Sequence, residues 1–244
     1  MRPLRQDERV PETRYDGLAD WYDEWAATFM GPFARVLADC VAKFVRPGST
    51  VIDVGCGTGQ HFGALQAVSL RPIGFDISGD QLRVASERAV PVVRADAAAF
   101  AVRDEAVDVA VAAFVHRDMD DFAGAVGEIV RVLRPGGRFA YVGTHPCFVA
   151  PFVNRTTERD VGAIEVRSGY GDTRRRFDGA APSRLTTTAG SRNLSLTAFL
   201  HTFIGAGLRI ESFEELDTDA RTWITRPNDR TIVPWNILVV AAKC

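Results

Sequence analysis

An α/β fold with a doubly wound, mostly parallel sheet is predicted for this chain by three observations. Short apolar runs of strand length alternate with amphipathic segments of helix length, which is the pattern of βα units with right-handed crossovers. The first such run, Val51-Ile-Asp-Val54, leads straight into a three-glycine turn, Gly55-Cys-Gly-Thr-Gly59. Val107–Phe114 is almost continuously apolar, as a strand covered on both faces must be.

In chain order, residues 1 to about 13 are polar and carry proline, so they read as a mobile arm. From Tyr15 to about Phe44 the apolar spacing is helical. Leu18, Trp21, Tyr22 and Trp25 make one stripe, and Phe33, Val36, Leu37, Cys40, Val41 and Phe44 make a second. Gly31-Pro32 is expected to break the helix between them, and Pro47-Gly48 to end the second. Strand one is Thr50–Val54, followed by a helix from His61 to about Val68. Strand two is Pro72–Asp76, then a helix over Gly79–Arg88 and a short strand at Val90–Arg94. Strand four leads to an amphipathic helix, Asp121–Leu133, stopped by a left-handed turn in Arg134-Pro-Gly-Gly137, and strand five is Arg138–Gly143. Periodicity lapses from His145 to about Arg192, which is expected to be an insertion over the ligand cleft. A helix over Leu194–Ala206 and closing strands at Leu208–Glu214 and Trp235–Ala241 complete seven strands. One domain therefore contains an arm and helical lid (1–44), a core (45–143), a cap insertion (144–192) and a closing segment (193–244).

With 244 residues, 46% hydrophobic and 25% charged, the chain is long enough to bury one sizeable core. A formal net charge of -2 supplies no global attraction to nucleic acid or anionic membrane. Cys40, Cys56, Cys147 and Cys244 are widely spaced, which argues against zinc, iron–sulfur clusters and a disulfide framework, and no metal is expected. The first residues lack an apolar leader, and no apolar run reaches membrane-spanning length. The expectation is a cytoplasmic protein, monomeric or homodimeric, with no nucleic-acid or membrane partner.

Alternate glycines let a backbone turn sharply and let a ligand approach closer than any Cβ permits. A dinucleotide fingerprint needs glycine or alanine at the sixth position, where this chain has Gln60, and Asp53 would repel a pyrophosphate. Asp53-Val-Gly-Cys-Gly-Thr-Gly59 instead resembles the D/E-x-G-x-G-x-G motif of class I S-adenosylmethionine-dependent methyltransferases. Arg131-Val-Leu-Arg-Pro-Gly-Gly137 is similar to the family's V-L-K-P-G-G, and Tyr15-Asp-Gly-Leu-Ala-Asp-Trp-Tyr-Asp23 resembles the entry helix of its small-molecule members. The resemblance implies a Rossmann-like methyltransferase fold binding S-adenosyl-L-methionine. Gly55, Gly57 and Gly59 would flank the methionine part, and Asp53 would organise the loop. Asp76, with Ile77 beside it, would hold the ribose diol as a bidentate acceptor. Asp96 and the backbone at Ala97 would meet the adenine. Phe114 at the tip of strand four and Tyr22 in the lid would complete the cofactor site.

Methyl transfer asks the protein to align an acceptor and, for some acceptors, to remove a proton. His145 and His116 follow strands five and four and are the expected bases. Asp118, Asp120 and Asp121 are read as caps and charges at a helix N-terminus rather than Mg²⁺ ligands. Arg174-Arg-Arg176 is read as a solvated loop that could neutralise an acidic substrate. The strand-four tip lacks the Asn/Asp-Pro-Pro-Tyr/Phe tetrad of many enzymes that methylate adenine or glutamine nitrogens. The acceptor is thus expected to be a small organic molecule, with oxygen favoured over nitrogen or carbon. The rival expectations are a cofactor-binding protein that does not methylate, either a regulatory partner or a cyclase, and a nucleotide-dependent oxidoreductase.

Overall fold

Side chains alternate between the two faces of each central strand while burial runs continuously along it, and this decides the layering. The computed structural model describes residues 13–148, 153–155, 164–166, 168–177, 184–217, 220 and 234–244. Within them the chain runs α1 (Ala19–Ala27), α2 (Met30–Ala42), β1 (Thr50–Val54), α3 (Phe62–Ala67), β2 (Arg71–Asp76), α4 (Gly79–Ser86), β3 (Val92–Arg94), β4 (Val107–Ala113), α5 (Phe122–Val132) and β5 (Leu133–Thr144). It continues through β6 (Val153–Arg155), β7 (Ile164–Val166), α6 (Arg184–Ala189), α7 (Leu196–Gly205), β8 (Leu208–Leu216) and β9 (Asn236–Lys243).

Seven strands form one sheet in the order β3-β2-β1-β4-β5-β9-β8. The first five are mutually parallel, and β9 pairs antiparallel with both β5 and β8. The expected doubly wound, mostly parallel sheet is present. Its strand order reverses between β1 and β4, the switch point outside which ligands bind. Ile52, Val54, Phe139, Tyr141 and Val239 face α5 and α7, where Phe122, Phe199 and Phe203 are buried. Val51, Val109, Val111, Val142 and Val240 face α2 and α3, against Phe33, Leu37, Val41 and Leu65.

Three local expectations are corrected. The break between the N-terminal helices falls at Thr28–Phe29, and Gly31-Pro32 lies inside the first turn of α2. Proline is tolerated there because first-turn N–H groups have no intrahelical partner. Helix α5 stops because Leu133 is already extended (ψ 138°), and β5 begins at that residue rather than at Arg138. Leu133 pairs with Val107, the register then shifts, and Gly136 takes a positive φ of 75° inside the strand. Arg134-Pro-Gly-Gly137 is thus an irregularity within β5, not a loop before it. Within the expected insertion lie a two-stranded hairpin, β6 with β7, and the unanticipated short α6.

Candidate cofactor and acceptor site

The glycine turn hangs over the carboxyl end of β1, and β2 pulls it down. Gly55 N and Cys56 N both donate to the Phe75 carbonyl, at 2.7 and 3.0 Å. Gly57 N then donates to Asp76 Oδ2 at 2.8 Å, while Ser78 N donates to Asp76 Oδ1 at 2.9 Å. These positions need glycine. Gly55 has φ 69°, and a Cβ there would stand 2.6 Å from Val115 Cγ1. At Gly57, φ is 53° and a Cβ would occupy the space under Tyr22, 3.7 Å from its ring. Gly59 serves packing, since its Cβ would meet the Phe62 ring at 2.5 Å.

Below this turn lies a cavity of about 370 Å³, a size suited to a small-molecule ligand. Among its lining residues are Gly55, Gly57, Asp76, Ile77, Asp96, Ala97, Phe114 and Tyr22, so the structure brings these expected cofactor contacts together. Gly59 and Asp53 stand just outside. Asp76 is half-buried, and burial raises its carboxyl pKa against the two backbone N–H groups that stabilise the charge. Asp96 is exposed at the cavity edge and accepts from Ala98 N at 2.9 Å. Phe114 holds a left-handed φ of 58°, uncommon for a bulky residue, and its ring meets Phe33 edge-on at 5.2 Å.

Asp53 is fully buried, and neither carboxylate oxygen has a hydrogen-bond partner; His61 Nδ1 is 3.5 Å away. Gln81 is 1% exposed, lines the cavity, and has both amide atoms unpartnered. Buried polar atoms without partners are costly, so a polar ligand in this cavity would satisfy an existing need. Together with the space kept open at Gly57, this donor and acceptor set fits a ligand carrying hydroxyl and ammonium groups.

The lid is bolted down by residues beside the glycine turn and in or next to α4. Gln60 Nε2 donates to Asp23 Oδ1 at 2.6 Å, and Arg88 donates to the same oxygen at 2.5 Å. Asp80, in α4, accepts from Gly17 N and Ala19 N at the start of α1. Tyr15 and Tyr22 consequently meet edge-on at 5.8 Å above the cavity.

The two histidines expected to act as bases do not line it, and that expectation is corrected. His116 is 1% exposed, its Nδ1 lies 2.5 Å from the Tyr141 hydroxyl, and its ring packs on Phe122 and Phe199. Burial, with Arg117 adding to it, pushes its pKa down to about 3. His145 is 3% exposed, with Nε2 3.1 Å from Glu215 and Nδ1 accepting from Cys147 N. Burial lowers its pKa against that carboxylate. A base must be within hydrogen-bond reach of the proton it takes, and both rings are buried away from the cavity lining.

The cavity's other wall comes from Tyr15, Asp118, Met119, Asp120, Asp121 and Arg175. Asp121 is the N-cap of α5, accepting from Gly124 N at 2.7 Å, as expected. Asp120 is instead a junction for three distant arginines: Arg14 from the arm, Arg175 at 3.0 Å and Arg192 at 3.8 Å. The basic run divides: Arg174 is a solvated partner of Asp172, whereas Arg175 turns inward, its side chain 12% exposed, and donates to the Asp118 carbonyl at 2.7 Å.

Residues 52–141 match the family model described as a methyltransferase domain. A demethylmenaquinone methyltransferase of Corynebacterium kroppenstedtii is 34% identical over 137 residues, 55% of this chain and 60% of that one. Matches to proteins of the same name from three Mycobacterium sp. strains cover 43% of their length, so the chain spans only about half of the curated relatives it matches. An S-adenosylmethionine dependent methyltransferase from Mesorhizobium loti superposes with a TM-score of 0.65 at 22% identity, covering 84% of this chain and 96% of that one. A [4+2]-cyclase superposes at 0.59 with 18% identity, covering 96% and 97%. Likeness at these identities is one of fold.

Proposed function

We propose that this chain is a class I S-adenosylmethionine-dependent methyltransferase that transfers the methyl group of S-adenosyl-L-methionine to a small organic acceptor, a reading supported by the methyltransferase-domain match over residues 52–141 and by the relatives named above. When bound, the cofactor supplies a methyl group already activated on a sulfonium. The protein's work is then to bind, orient and exclude water. In this reading Gly55 and Gly57 leave room for the methionine part. Asp76, with its outer lone pairs free, takes the ribose hydroxyls, and Asp96 with Ala97 borders the adenine. Phe114 and Tyr22 close the apolar walls, and the buried charge of Asp53 favours the ligand's cationic end from behind the loop.

The observation that carries this reading is the carboxylate of Asp76, fixed from both sides by Gly57 N and Ser78 N at the mouth of a cavity of matching size. A small acceptor is supported by the aromatic lid over that cavity and by the names of the demethylmenaquinone methyltransferase relatives. Oxygen remains the favoured acceptor atom. Calorimetric titration with S-adenosylhomocysteine should give binding in the micromolar range. Asp76→Ala should weaken it by about 100-fold, since two backbone N–H groups lose their acceptor as well. A wild-type chain that binds neither S-adenosylhomocysteine nor S-adenosylmethionine sinks the proposal.

The [4+2]-cyclase among the fold neighbours favours a second reading, in which the cofactor is bound and not consumed. Mass spectrometry with methyl-labelled cofactor separates the two, because only the first puts label into an acceptor.

A further inference from the structure

A carboxylate on the acceptor side of the cavity has no role in cofactor binding as described above. Asp118 lies four residues beyond the tip strand residue Phe114 and lines the same cavity as Gly55, Gly57 and Asp76. Tyr15, from the segment before α1, lines the same cavity, and its hydroxyl is close enough to the Asp118 carboxylate to stabilise the charged form. Tyr22, above Gly57, is close enough to both Asp118 and Asp76 that burial and then these two charges raise its phenol. Asp118 therefore shares the cavity with the glycine turn and the two lid tyrosines. The unpartnered amide of Gln81 in the same cavity is independent evidence that a ligand belongs there.

Resting on the methyltransferase reading, we propose that Asp118, held by the Tyr15 hydroxyl, accepts the proton of a protic oxygen or nitrogen acceptor during methyl transfer. The acceptor's lone pair forms the new bond to carbon, the carbon–sulfur pair stays with sulfur, and the acceptor's proton passes to the Asp118 carboxylate. No further reactant is needed, and the proton leaves to solvent when the cavity opens.

The electrostatics suit the task. Burial raises the Asp118 carboxyl to about 6, opposed by the Tyr15 hydrogen bond and by Arg117, Arg175 and Arg14. Facing it are thus Tyr15 and Arg14 from the arm, Tyr22 from α1, Arg117 beside it, Arg175 from the insertion and Tyr141 from β5. The tyrosines are all raised, so each is neutral near pH 7. Asp118 is then the group that changes charge near neutrality, which is where a base is most effective.

Two measurements test the assignment, the first needing no turnover. S-adenosylmethionine carries a sulfonium charge that S-adenosylhomocysteine lacks, so their affinity ratio reports a carboxylate beside the transferring methyl group. By calorimetry the wild-type ratio should fall roughly tenfold between about pH 7.5 and about pH 5 as Asp118 is protonated. Asp118→Asn should give a low, flat ratio. Tyr15→Phe, which removes a hydrogen bond to the charged form, should move the midpoint up by about one unit. A ratio that still titrates in Asp118→Asn, or an unmoved midpoint in Tyr15→Phe, overturns the proposal, and the second variant decides if the first does not fold. Labelled-methyl transfer to a panel of phenols and primary amines should drop about 100-fold in Asp118→Asn and recover in part in Asp118→Glu. Full activity in Asp118→Asn, or wild-type transfer to no member of the panel, also overturns it. Failure of the wild type to bind either nucleoside would instead reject the cofactor reading itself.

Discussion

The two walls of the cavity are built by different physics. On the cofactor side, the contacts that set the glycine turn run within it or between neighbouring strands: Gly57 to Asp76, Gly55 to Phe75, Ser78 to Asp76. The backbone positions the turn, with one carboxylate as its side-chain anchor. On the acceptor side, the wall is closed by side chains that meet from far along the chain. Arg14, Arg175 and Arg192 converge on Asp120 across 106, 55 and 72 residues, and Tyr15 reaches Asp118. A backbone-built wall is rigid and intolerant of change. A wall of half-exposed ion pairs is individually weak and open to re-aiming.

That contrast predicts unequal sensitivity. Gly55→Ala should be the most damaging single change, because it combines φ 69° with a Cβ 2.6 Å from Val115. Strain and overpacking together cost about 2–6 kcal/mol. S-adenosylhomocysteine binding should be lost in calorimetry and the thermal transition lowered by several degrees; near-normal binding would show that the turn is softer than the backbone contacts imply.

A smaller effect is expected from pH through the core behind the acceptor wall. His116 has an ordinary value of 6.5 that falls to about 3 in the folded protein, so the unfolded chain binds more protons between these values. Its contribution is fully present above about pH 6.5 and is lost as pH falls toward about 3. Asp118 acts in the opposite sense, since its raised carboxyl takes up a proton first in the folded state. The difference between wild type and His116→Gln in urea unfolding therefore isolates the histidine. Wild-type stability should decline more steeply by roughly 1 kcal/mol per unit in this window. Parallel curves would place the imidazole in contact with solvent.

The smallest effect belongs to the arginine junction. Asp120 is 61% exposed, so Asp120→Asn should cost less than about 1 kcal/mol of stability and leave S-adenosylhomocysteine affinity within about twofold. A large loss of cofactor binding would mean that the two walls are coupled, and the contrast would fail.

Legibility follows the same divide. Asp53-Val-Gly-Cys-Gly-Thr-Gly59 could be read because glycine spacing, strand patterning and the switch point are consequences of local backbone geometry. Asp76, Asp96 and Phe114 followed, lying at or within two residues of the ends of strands that must converge. The acceptor wall was largely opaque. Asp118 was read with Asp120 and Asp121 as a helix-capping cluster, and only Asp121 is the N-cap. Its one sequence signal was its place just beyond strand four. His116 and His145 share that placement, yet the alternation of faces turns both rings into packed interior, where Tyr141 and Glu215 claim them. Gln60 was noted for the glycine it replaces, and nothing local announced its bond to Asp23 in the lid.

By itself the sequence determined the layered sheet, the glycine turn and the convergence of acidic strand tips, because periodicity, turn chemistry and crossover handedness act over a few residues each. Tertiary structure alone decided which arginine of the Arg174–Arg176 run lines the cavity, that neither His116 nor His145 does, and which carboxylate lies near Tyr15. Those outcomes depend on where distant segments stop against one another, and no local rule carries the distance between them.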